Sequence, residues 1–96
     1  MKIDKHRVSA YLSGNFSPYF QSSSKIQFII EVNALFNFSF DKFELIERHT
    51  NTLQSFFSET LNLLKDESKI LILCKKLEVP KDVSEALKYD IIINNK

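Results

Sequence analysis

A small α+β domain is what this 96-residue sequence predicts, on three observations. Ile26, Phe28, Ile30 and Val32 alternate with polar residues, as do Phe36, Phe38 and Phe40, which is the period-two pattern of half-buried strands. Residues 70–74 (ILILC) are continuously apolar, as in a strand buried on both faces. Between them, 52–65 carries apolar residues at helical spacing. A chain of this length forms one domain, 1–96, burying roughly two thirds of its unfolded surface.

The elements follow in order. Asp4 suits an N-cap, and Ile3 with Val8 stands at hydrophobic-staple spacing, so a short helix is expected over about 5–12. Gly14, the single glycine, marks its end, and SGNFSPYFQSSS (13–24) has loop composition. Residues 25–40 read as two strands with a tight connection near Asn33–Leu35, a hairpin or adjacent pair, because β-branched and aromatic side chains favour sheet. The helical alternative there has Ser24 as cap and Ile26, Ile29 and Ile30 on one face. Asp41 and Glu44 have capping-box spacing for a helix over 42–48. Asn51, with Gln54 three residues on, caps the longer amphipathic helix, whose Leu53, Phe56, Phe57, Leu61 and Leu64 face inward. Gln54, Ser55, Ser58, Glu59 and Asn62 face away. The two helices share one stripe and are compatible with a single long helix. ILILC, a helix over about 83–88 opened by Asp82 and Glu85, and a strand at 90–94 (DIIIN) complete a C-terminal βαβ unit.

Composition excludes more than it assigns. The apolar share of 44% and nine Phe rule against disorder. A net charge of +1 argues against a general nucleic-acid binder. Charge is nonetheless segregated. Residues 1–30 hold four cations against one carboxylate, 31–67 three against seven, and 68–96 six against four. The acidic middle can face a basic partner. One cysteine, Cys74, makes no internal disulfide, which points to a reducing, cytoplasmic setting. MKIDKHRVSAYL lacks the apolar centre of a signal peptide, and no apolar run approaches a membrane span.

The search for chemistry is mostly eliminative. With a single glycine, neither a phosphate-cradling loop nor a dinucleotide fingerprint can be built. His6, His49 and Cys74 lack metal-ligand spacing, so neither metal nor cofactor is expected. Cys74 lies within an apolar run, where a thiol stays protonated and inert, and Ser22, Ser23 and Ser24 have no nucleophile-elbow context. Glu44, Glu47, Arg48 and His49 are the parts of a metal-independent ribonuclease, but an i,i+4 ion pair between Glu44 and Arg48 accounts for two of them without catalysis.

The leading expectation is a non-enzymatic protein-binding chain: an adaptor, an antitoxin or an immunity-type inhibitor that covers the active site of a basic toxin or nuclease. Its contact residues would be Asp41, Glu44, Glu47 and Glu59, with Tyr19 and Phe20 as anchors. The alternative is a small nucleic-acid-binding protein or ribonuclease, using Lys2, Lys5, Arg7 and some of Lys75, Lys76 and Lys81 as a cationic face beside His6, Ser9 and Tyr11. At scattered positions VSAYLSGNFSP and the later VNALFNFSFDKF resemble the recognition helix and following helix of small helix-turn-helix repressors. The two helices that precede it in those repressors have no room before residue 5.

Overall fold

A computed structural model of the chain describes residues 3–78, with the side chains of 15–24 left out. All four elements within that range are helices: α1 (Lys5–Phe36), α2 (Phe40–His49), α3 (Leu53–Leu63) and α4 (Glu67–Lys76). The expected α+β architecture is therefore overturned. The helix near 83–88 and the strand at 90–94 lie outside the described residues.

Asp4 does cap α1, its carboxylate accepting the Arg7 amide at 3.0 Å, and Ile3 and Val8 are both buried. The helix then passes Gly14 and residues 15–24 instead of stopping. Gly14 has no positive φ, and a methyl group added there would meet nothing within 4 Å, so neither backbone nor packing requires glycine. The expected loop at 13–24 is thus helical.

The expected strands at 25–40 fail on burial. A strand would put Ile26, Phe28, Ile30 and Val32 on one face. Phe28 and Val32 are buried, whereas Ile26 and Ile30 are each 54% exposed. That is a period of four, and Leu35 and Phe36 extend the packed side. The alternative face of Ile26, Ile29 and Ile30 is also displaced, since only Ile29 reaches the core, and partly. Asn37, at φ 52°, ends α1 in the left-handed conformation that asparagine tolerates, so no glycine is needed.

ILILC fails as a strand in the same way. Ile70, Leu73 and Cys74 are buried, with Leu77 one turn further, while Leu71 and Ile72 are exposed. Asp66 caps this helix by accepting from the Lys69 amide at 3.2 Å. Glu67 in the first turn and Lys75 and Lys76 in the last suit the helix dipole.

α2 and α3 are separate helices, broken at Thr50–Thr52. Ser39, not Asp41, caps α2, accepting from the Asp41 amide. Thr52, not Asn51, caps α3, accepting from the Ser55 amide at 3.1 Å.

α3 is the hub, packing against α1 and α2, and α4 packs on α1. At its centre Phe28 meets Phe57 with ring centroids 4.6 Å apart, and Phe56 and Phe43 extend the cluster. Val8 and Leu12 from the first third of α1, Ile70 and Leu73 of α4, and Leu77 at its end, extend the core.

α1 cannot be a straight rod. Its 32 residues would run roughly 48 Å at 1.5 Å each, against a longest molecular extent of 36 Å. Ser9 and Phe28, which would lie roughly 28 Å apart along such a rod, both contact α3, itself only about 16 Å long. The helix therefore bends between these contacts. Pro18, which has no amide hydrogen to give the helix, falls midway along that span.

Candidate functional site

α2 carries most of the residues singled out from sequence. At 100° per residue, Phe43 and Ile46 point to the core. Asp41, Glu44, Leu45 and Arg48 form the opposite, exposed stripe. Glu47 and His49 are two residues apart, hence roughly 160° apart around the axis, and fall on opposite flanks. The carboxylate and imidazole therefore do not meet, and a ribonuclease centre is not assembled from them.

On one flank, Glu47 pairs with Lys25 of α1 at 3.2 Å. The Lys25 ammonium also stands 5.9 Å from the Phe56 ring centre. Both carboxylate and ammonium are partly exposed, so the pair is worth under about 1 kcal/mol. Glu44, Glu47 and Arg48 border an open depression of about 550 Å³. No ion pair joins Glu44 to Arg48, so the i,i+4 pairing expected there is not formed.

On the other flank, the end of α2, Thr50 and the start of α3 border a notch of about 410 Å³ lined by Leu45, Ile46, His49, Thr50, Ser55 and Glu59. Thr50 Oγ1 donates to the Ile46 carbonyl at 3.0 Å, and Ser55 Oγ bonds to Thr52 Oγ1 at the same distance. His49 and Glu59 have no hydrogen-bond or ion-pair partner among the described residues. Of the expected contact residues, then, Asp41 and Glu44 share the outer stripe, Glu47 is on the α1 flank, and Glu59 is in the notch. They do not make one acidic patch. Tyr19 and Phe20 lie within α1, and their side chains are outside the described set.

Of the cationic face expected around residues 5–11, His6 and Arg7 are exposed, Lys5 and Tyr11 are half-buried and Ser9 is buried, and Lys5, His6 and Ser9 bond to residues of α3 or its end. Lys5 Nζ donates to the Leu64 carbonyl at 3.5 Å. His6 Nδ1 is hydrogen-bonded to Ser58 Oγ at 3.1 Å, either group donating according to the imidazole tautomer. Ser9, fully buried, donates to the Gln54 carbonyl at 2.5 Å. Lys76 of α4 is near Glu31 at 3.8 Å, and Lys2 and Lys81 are outside the described residues. The segment that resembles a repressor recognition helix is an interior stretch of α1, with no helix-turn-helix around it.

The Ser58–His6 pair has the makings of a nucleophilic dyad. Ser58, however, is buried and mid-helix, where the neighbouring backbone amides are engaged within α3 and cannot cradle an oxyanion. Sequence reading had Ser58 facing away. The pair joins α1 to α3.

Cys74 is buried, and desolvation pushes its thiol from the ordinary 9.0 up to about 11, so it is a poor nucleophile. It lines neither the notch nor the Glu44–Arg48 depression. Among the described residues no three His, Cys, Asp or Glu side chains gather as metal ligands, and no helix is long and apolar enough to cross a membrane.

The notch itself was missed from sequence. Its available signal was a helix ending at His49 followed by a three-residue break, which turns His49 and Glu59 toward one space. Comparison with protein-family models, curated proteins and solved structures gave no match.

Proposed function

We propose that this chain is a non-catalytic protein-binding domain that docks on a partner through the outer face of α2. The observation that carries the reading is the exposure of Leu45 (55%) on the outer stripe and of Phe40 (62%) at the start of the helix, roughly 140° away around the axis, with the carboxylates of Asp41 and Glu44 between them. Large apolar side chains at the surface cost hydration and serve as anchors in an interface, where aromatic residues are enriched. The flanking carboxylates favour a basic partner and raise its encounter rate. An adaptor, an antitoxin or an immunity-type inhibitor fits this description, acting inside the cell, where a lone cysteine stays reduced.

The test is affinity capture from the native host with the wild-type chain and with Phe40→Asp. Phe40 is exposed, so the variant keeps its fold, as its denaturation midpoint would verify. A protein retained by the wild type and lost with Phe40→Asp supports the reading. Retention by both, or no protein retained, overturns it. Glu44→Lys should slow association at low salt and leave dissociation nearly unchanged.

A further inference from the structure

We propose that the notch between α2 and α3 receives an arginine side chain of the docking partner. The inference rests on the reading of α2 as a docking face, because Leu45 borders both the outer stripe and the notch. The notch volume of about 410 Å³ is at the small end of ligand sites, suited to one side chain.

Its lining divides by chemistry. Leu45 and Ile46 offer an apolar wall for a methylene stem, since long cationic side chains lay their stems on apolar surface. Glu59 supplies a carboxylate, the single formal charge among the lining residues, and nothing among the described residues pairs with it. A guanidinium is planar and presents donors in a fork that fits a carboxylate two-pronged. Ser55 and Thr50 hydroxyl oxygens and a ring nitrogen of His49 are further acceptors on the same wall, and a flat imidazole suits stacking on a flat cation. A lysine ammonium matches the charge but neither the fork nor the stacking plane. The adjacent cation, Arg48, borders the other depression with Glu44 and Glu47 and does not compete.

The experiment is a heteronuclear NMR titration of the full chain with N-acetyl-arginine amide and, in parallel, with N-acetyl-citrulline amide, its uncharged near-isostere. The expected result is fast-exchange shifts of the His49, Ser55 and Glu59 amides with the arginine probe alone, weakened roughly tenfold or more by Glu59→Gln. Equal response to citrulline, shifts confined to other surfaces, no shifts, or an unaffected Glu59→Gln chain each overturns the inference. Its failure is separable from that of the docking reading. A partner lost by Phe40→Asp but kept at full affinity by Glu59→Gln leaves the α2 face standing and removes the notch. Arginine binding in the notch, with capture indifferent to Phe40→Asp, does the reverse.

Discussion

Two flanks of α3 carry polar groups of similar kind, and they differ in what those groups do. Toward α1, the Lys5, His6 and Ser9 side chains all find partners on or beside α3, at Leu64, Ser58 and Gln54. Toward α2, His49 and Glu59 find none among the described residues, while Thr50 and Ser55 are held by local bonds. The first flank is a closed seam in which polarity fixes the register of two helices. The second is an open notch whose imidazole and carboxylate remain available. Residue type alone does not separate structural from functional polar groups. The partner count does.

Substitutions can break or sharpen this contrast. The largest effect should come from Phe57→Ala, which empties the middle of the seam, where Phe57 is fully buried against Phe28. Chemical denaturation should show a loss of about 3–5 kcal/mol. Ser9→Ala should cost about 1 kcal/mol by the same measurement, because it removes a buried interhelical bond while the Gln54 carbonyl keeps its place in α3. The smallest effect should be Glu59→Gln, within ~0.5 kcal/mol, as for surface substitutions that break no contact. A Glu59→Gln chain as destabilised as Ser9→Ala would mean that the notch is structural after all.

How far the sequence could be read follows from the same physics. The core side of α3 was legible: Phe56, Phe57, Leu61 and Leu64 recur at helical spacing and are all buried. So was the Asp4 cap, which depends on local chemistry alone, and Ile3 and Val8 on either side of it are both buried. Residues 25–36 were not, because a run rich in Ile and Phe satisfies periods of two and of four equally, and β propensity tipped the choice the wrong way. Burial decided it, with Phe28 and Val32 inside and Ile26 and Ile30 outside. ILILC misled for the same reason. Its Asp66 cap and the Lys75–Lys76 pair in its last turn were the better witnesses. For the site, α2 was expected over 42–48, which left His49 in a connection. Carrying the helix through His49 turns it away from Glu47 and toward α3. The unlike directions of Glu44, Glu47 and Glu59 needed the packing of three helices, which no local pattern contains.

The seam has a consequence for how the chain reaches its native state. Its three polar contacts link residues 45, 52 and 59 positions apart. Helical proteins usually fold fast because their contacts are local. Here the seam contacts of residues 5–9 cannot form until α3 has been made. During synthesis the opening segment must wait for residues in the sixties to leave the ribosome, and a refolding experiment should find the amino-terminal turns among the last to gain protection from solvent exchange.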